Sequence, residues 1–385
     1  MNNQMSDRPL RWDPYFFRKG HSFVPFWKDY LTGAKRDILF VLAGGIDPRM
    51  CFGIEQLISL NGSGKRDCTV MVFDEGVGSA TGKHQKRADD NILKLKALLN
   101  ARGAFKELNI PVWTDSGPSR RRIGATKSIH FFKDIATFAG YSDIIIDISS
   151  MRRGIYLSFI GHVMQLLESY NLSNDHKINL HVLCANSPDI DRQIAGVGID
   201  ETADYVTGFS SDLEMHSTID VPKIWIPILG SAQEDKLERI YTLLKPTEIC
   251  PVLPSPSLNG KRADEMIKEY WRLLLDTWGV EPGNVVYASE DNPFDIYRQV
   301  HRIIKDYGRA LKPIGGCKAA ISVLGSKVLS IGALLACYEL RNADVSVGIA
   351  HVESQGYDTV LPEGQISLDG VILTTTWVIG ECYCE

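Results

Sequence analysis

Residues 144–168, IIIDISSMRRGIYLSFIGHVMQLLE, constrain the fold more than any other stretch of the chain. Three isoleucines followed by Asp147-Ile148 make a short apolar run of the kind that is buried on both faces of a parallel sheet. A polar turn, Ser149-Ser150-Met151-Arg152-Arg153-Gly154, separates it from about four turns of mostly apolar helix. Strand, tight turn and helix in this order form the unit of a doubly wound α/β sheet, whose ligands meet the carboxyl ends of strands and the amino ends of helices. Two arginines at such a helix start suit an anionic guest. The plainer reading leaves Arg152 and Arg153 as solvated surface charges.

The same unit recurs at 320–340, AISVLGSKVLSIGALLACYEL, around the turn Leu324-Gly325-Ser326-Lys327. Lys327 lies 175 positions after Arg152, and that offset also relates Lys86-Arg87-Ala88-Asp89-Asp90 to Lys261-Arg262-Ala263-Asp264-Glu265. Two matches on one offset, each just before a helical pattern, point to an internal repeat. The fold class expected is α/β: two tandem Rossmann-like doubly wound domains related by internal duplication.

At 385 residues the chain is long for one core and comfortable for two. The expected organisation is an aromatic N-terminal segment 1–35, a first Rossmann-like domain 36–201, a polar linker 202–220, a second domain 221–362, and a C-terminal β-hairpin 363–385. The hairpin reading rests on Leu368-Asp369-Gly370 between apolar runs. Trp12, Tyr15, Phe16, Phe17, Phe23, Phe26, Trp27 and Tyr30 crowd the first segment, so it is expected to pack across a sheet edge or a partner.

A net charge of −5 disfavours extensive nucleic-acid binding by bulk electrostatics. No window approaches the ~18 uninterrupted apolar residues of a membrane span, and the amino terminus lacks the apolar core of a signal peptide, so a cytoplasmic location is the expectation. The eight cysteines are scattered through apolar runs and read as reduced core residues. Cys382 and Cys384 are closely spaced but have no further ligand pair nearby, so no metal site is expected there.

Loops after the first, second and fourth strands of a doubly wound sheet converge on one crevice. In the first repeat they carry Gly44, Gly45, Asp47 and Arg49, then Asp74, Glu75, Gly76, Gly78, Ser79 and Lys83, then Ser149, Ser150, Arg152 and Arg153. Glycines let backbone approach a phosphate closely, helix starts supply amide donors, and arginine and lysine supply charge. A nucleotide or other phosphorylated small molecule fits this set. The second repeat offers Gly230, Ser231, Ser326 and Lys327, with fewer glycines and acids. Against this stands the reading that glycines and polar residues are simply what strand-to-helix loops require.

Asp47, Asp74 and Glu75 are candidate Mg2+ ligands beside a phosphate, which makes a Mg-dependent or ATP-dependent nucleotide-processing enzyme the alternative. No Ser-His-Asp arrangement, nucleophile elbow, HExxH or cysteine-histidine signature is present, and a full GxGxxG fingerprint for NAD or FAD is absent. The leading expectation is therefore a non-catalytic binding or regulatory protein with a protein partner or a homo-oligomeric state. A third reading is a scaffold whose crevices are vestigial.

Two resemblances bear on this. Residues 42–48, LAGGIDP, are similar to the SGGxDS loop of PP-loop ATP pyrophosphatases, with Ala43 and Pro48 where that family has its phosphate-gripping serines. Paired Rossmann-like domains with a Ser/Gly/Lys turn before a helix, as at Leu324-Gly325-Ser326-Lys327, resemble CARF and SAVED sensor domains. That resemblance implies binding of nucleotide second messengers in bacterial antiviral defence, with the effector carried by a partner protein.

Overall fold

The computed structural model describes residues 9–76, 78–100, 102–114, 121–214, 221–342, 345–361 and 366–383. Most of the basic connection 115–122, part of the expected linker at 215–220, part of the expected hairpin at 363–365 and Cys384 lie outside them. The chain divides into two compact units: Pro14–Gly198 with Ser354–Glu385, and Met1–Asp13 with Ile199–Glu353.

The first unit runs β1 (Phe16–Lys19), α1 (Phe23–Gly33), β2 (Ile38–Gly44), α2 (Phe52–Ser59), β3 (Arg66–Asp74), α3 (Gln85–Leu99) and β4 (Phe105–Pro111). It continues with α4 (Gly124–Phe131), β5 (Asp143–Asp147), α5 (Arg153–Ser173), β6 (Asn179–Asn186), α6 (Pro188–Gln193) and β7 (Ile194–Ile199). The second unit runs β8 (Asp204–Tyr205), β9 (Lys223–Ile228), α7 (Glu234–Leu244), β10 (Glu248–Ile249), β11 (Val252–Pro254) and α8 (Arg262–Trp271). It ends with β12 (Val286–Ala288), α9 (Pro293–Ala310), β13 (Lys318–Val323), α10 (Lys327–Asn342) and β14 (Val347–His351). The chain then returns to the first unit as β15 (Ser354–Thr359) and β16 (Ile372–Ile379).

The first unit's sheet has the order β1-β16-β6-β5-β2-β3-β4. Its five strands from β6 to β4 are parallel, whereas β16 is antiparallel to β6 and to β1. Ile144, Ile145 and Ile146 of β5 are fully buried, as a strand covered on both faces requires. The second unit's sheet has the order β12-β11-β9-β13-β14-β8, parallel except for β8, with the short β10 beside β9. In chain order of the parallel strands both sheets read 3-2-1-4-5, and in both the fifth strand is followed by an antiparallel neighbour.

Two helices differ from the rest. Buried residues run round α5 from Ile155 to Leu167 and round α10 from Val328 to Leu340, the pattern of a helix enclosed on most sides. α9 is ordinary by contrast: Phe294, Tyr297, Val300 and Ile304 recur at helical spacing on its buried side. Asn292 caps it by accepting from the Phe294 amide at 3.0 Å, with Pro293 at the first helical position.

Three expected boundaries need correction. The 1–35 segment is not one piece: β1 and α1 belong to the first unit, where Phe23 and Trp27 are buried, while Trp12 is buried in the second. Rings this large are costly to leave in water, so each is taken into a core. The 202–220 stretch is not a free linker where it is described, because Asp204 and Tyr205 pair with His351 and Ala350 as a sheet edge. The C-terminal stretch makes its turn at Leu368-Asp369-Gly370, with the Val371 amide donating to Leu368 at 3.1 Å. Its apolar arm, however, inserts between β6 and β1, whose exposed ladder groups it satisfies, and no hairpin forms among the described residues.

Candidate functional site

In the first unit the loops after β2, β3, β5 and β6 meet at the carboxyl ends of the strands. Ser150 Oγ donates to the Ala43 carbonyl at 2.6 Å, tying the loop after β5 to the end of β2. Ser149 Oγ accepts from the Ala185 amide at 2.8 Å, tying it to β6. Asn91 of α3 reaches the Gly45 carbonyl at 2.9 Å. The structure thus brings together Gly44, Gly45, Asp47, Arg49, Glu75, Ser149, Ser150 and Arg152.

Both arginines are buried and both meet carboxylates. Arg49, 4% exposed, donates from Nη2 to Asp47 Oδ2 at 2.7 Å and pairs with Asp191 Oδ1 at 2.8 Å. Burial works against its charge, but Asp47 and Asp191 outweigh that and bind its proton more tightly than usual. Arg152, 8% exposed, donates from Nη2 to Glu75 Oε1. Its guanidinium also lies 5.0 Å from the Tyr357 ring centre and 3.5 Å from the Ser354 carbonyl. The expected magnesium carboxylates Asp47 and Glu75 are therefore each engaged by a guanidinium, and Asp74 is exposed and accepts from the Gly76 amide at 2.8 Å.

The glycines divide by role. Gly76 and Gly78 have φ of +88° and +80°, so the turn itself requires them. A side chain on Gly44 would press on Ile92 and Val70 at about 3 Å, whereas one on Gly45 would meet nothing within 4 Å. Lys83 is exposed in the turn before α3, where Ser79 Oγ accepts from the Gly82 amide at 3.1 Å. Arg153 opens α5 half-buried, its Nε 3.4 Å from Tyr156 Oη. Cys51 is buried, and burial pushes its thiol up to about 12.

In the second unit the backbones after β9 and β13 all but touch: a Cβ on Gly230 would lie 2.0 Å from the Leu324 carbonyl oxygen. Ser231 follows in the same loop. Ser326 Oγ caps α10 by accepting from the Leu329 amide at 3.3 Å, and Lys327 is half-buried at the first helical position. Glu290 joins this group, accepting from Ser257 Oγ, with Arg262 Nε at 3.8 Å.

Sequence reasoning missed Asp191, Glu290 and Arg262 as site residues, and all of β15. Asp191 had a faint signal, since Ser187-Pro188 marks a helix start beyond a strand. β15 had none: Ser354, Gly356 and Asp358 fall inside the expected second domain 221–362, whereas the structure assigns them to the first unit.

No protein-family model matches the chain, and no curated protein sequence does. Among solved structures, the zinc-inhibited form of teicoplanin deacetylase Orf2 aligns at a TM-score of 0.24 and 8% identity, over 44% of this chain and 77% of that one. The cytoplasmic domain of a prokaryotic cation chloride cotransporter aligns at 0.22 and 11%, over 84% and 97%. NadR protein in complex with NAD and AMP-PNP aligns at 0.24 and 10%, over 86% and 93%. Scores this low leave the chemistry to be argued from the residues themselves. Among the described residues no helix is long and apolar enough to cross a membrane.

Proposed function

We propose that the chain is a ligand-binding regulatory protein that takes a nucleotide or similar phosphorylated molecule at the strand ends of its first unit. One observation carries the reading: Arg152, a buried guanidinium, sits at the carboxyl end of central β5 and immediately before the 21-residue helix α5. The amino end of a long helix favours negative charge, and a guanidinium matches phosphate with paired donors. Glu75 occupies those donors now, and a phosphate offers the same geometry with more charge.

The shared strand order supports internal duplication of a Rossmann-like domain. So does the repeated placement of a basic residue at the start of an enclosed helix, Arg152 before α5 with Arg153 opening it, and Lys327 opening α10. Duplication in turn supports kinship with paired sensor domains of the CARF and SAVED kind, in which the effector of a bacterial defence system would be a partner protein.

Isothermal titration against a panel of mononucleotides and cyclic oligonucleotides, with and without Mg2+, tests the reading. At least one member is expected to bind, and Arg152→Ala to lose about tenfold to a hundredfold in affinity, the worth of a charged hydrogen bond. Silence across the panel, or equal binding by Arg152→Ala and Arg49→Ala variants that keep the parent's circular dichroism, would sink it. Lost binding in Lys327→Ala with Arg152→Ala unaffected would move the site to the second unit.

A further inference from the structure

β7 and β15 carry the chain out of the first unit and back into it, and they pair with each other instead of joining the seven-stranded sheet. β15 crosses the loop that follows β3. The Tyr357 amide donates to Thr81 Oγ1 at 3.0 Å, and His84 Nε2 lies 2.6 Å from Asp358 Oδ1. Gly356 comes so near the loop that a Cβ there would be 3.1 Å from Ala80 Cβ and 3.5 Å from Glu75 Oε2. Cations from three places hold the same segment. Arg122 Nη2 donates to the Ser354 carbonyl at 2.9 Å, Arg87 Nη2 to the Leu361 carbonyl at 2.9 Å, and Arg152 faces both Ser354 and the Tyr357 ring.

We propose that β15 is a strap that holds the first unit's strand-end site shut, and that its release is what admits the anion; this rests on the reading of that site given above. The Glu75–Arg152 ion pair lies directly under Gly356, and the strap lends Arg152 its Ser354 carbonyl and its Tyr357 ring. A phosphate needs the guanidinium donors that Glu75 and Ser354 now occupy. A phosphate that takes those donors displaces the Glu75 carboxylate, which lies against Gly356 of the strap. The strap's Ser354 carbonyl and Tyr357 ring must also leave Arg152, so ligand entry and strap release are coupled. The exposed end of the strap is held by His84 and Asp358, with Lys83 beside them.

A strap that must open before binding lowers apparent affinity by the fraction of time it is open, so weakening it raises affinity by the same factor. The test uses the full chain, with Asp358→Asn and Tyr357→Ala as strap variants, hydrogen exchange at amides 355–359 as the first readout and ATP titration as the second. Both variants keep Glu75, Arg152 and Arg49. Without ligand, exchange at 355–359 is expected to speed up about tenfold while the amides of β5 and β6 stay protected, as a local opening requires. ATP affinity is expected to rise by a similar factor of about ten. Exchange that stays at the parent rate in both variants overturns the strap, even if ATP binds. Faster exchange with no ATP binding in any variant upholds the strap as a closure and overturns the ligand reading of the site beneath it.

Discussion

Asp143, the first residue of β5, accepts from Tyr30 Oη at 2.6 Å, from Ser142 Oγ at 2.6 Å and from His181 Nε2 at 3.3 Å. Burial alone would favour its neutral form, but the hydrogen bonds from His181, Ser142 and Tyr30 outweigh that and hold the carboxyl below its usual range. His181 is fully buried against Trp27, Tyr30 and Trp377, and that burial lowers its own proton affinity. With Nδ1 lacking a partner among the described residues, the ring is neutral and donates through Nε2. Both shifts act in one direction. The unfolded chain protonates His181 below about pH 6.5 while the folded chain resists, so stability falls as pH drops through that value. Asp143 adds stability above about pH 4 that is lost as pH falls through its depressed folded value. Thermal unfolding midpoints from pH 8 to pH 5 are expected to decline, with the decline below pH 6.5 much reduced in His181→Gln. Asp143→Ala is expected to cost about 3–5 kcal/mol in denaturant melts, the worth of two or three hydrogen bonds to a charged acceptor. At this scale the residue types near the strand ends were legible, since arginines at strand-to-helix turns stand out. Their partners were not: Asp191 and Glu75 reach the arginines only through the order in which strands lie side by side.

α9 and α10 show what a helix pattern does and does not reveal. The 3.6 periodicity and the Asn-Pro start of α9 are plain in the sequence, and so is the enclosed character of α10. Their crossing is not. It depends on Gly332, where a Cβ would stand 1.8 Å from the Pro293 carbonyl oxygen and 2.5 Å from Ile296 Cγ2. Backbone cannot yield as a side-chain tip can, so Gly332→Ala forces the helices apart. A loss of about 1–3 kcal/mol, the range for overpacking a close contact, is expected from chemical denaturation. An unchanged midpoint would mean the crossing is looser than described. β16 teaches the complementary point. Its apolar run and the Asp369-Gly370 turn before it were readable, but the choice of neighbour was not, because main-chain pairing carries no residue code for which edge a strand will join.

Both units are discontinuous in sequence: the first is interrupted between β7 and β15 by residues 199–353, which form the second unit together with the stretch that ends at Asp13. Every strand of the second sheet lies within 199–353, so that segment expressed alone is expected to melt cooperatively by far-ultraviolet circular dichroism. Its midpoint should fall below that of the same segment joined to 9–13, because Trp12 packs edge-on to Tyr297 with ring centres 5.6 Å apart. Residues 14–198 alone lack β16, the strand between β6 and β1, and are expected not to melt cooperatively. A sharp transition from 14–198 would contradict the insertion.

The α/β class, the strand-turn-helix units and the arginines at strand-to-helix turns were set by local pattern, because burial on two faces and helix starts leave their mark within a few residues. Which carboxylate neutralises which arginine, where the last strand pairs, and that β15 lies across the strand ends were decided only in three dimensions. Each of those joins residues far apart along the chain, and nothing short of the completed sheet brings them within reach.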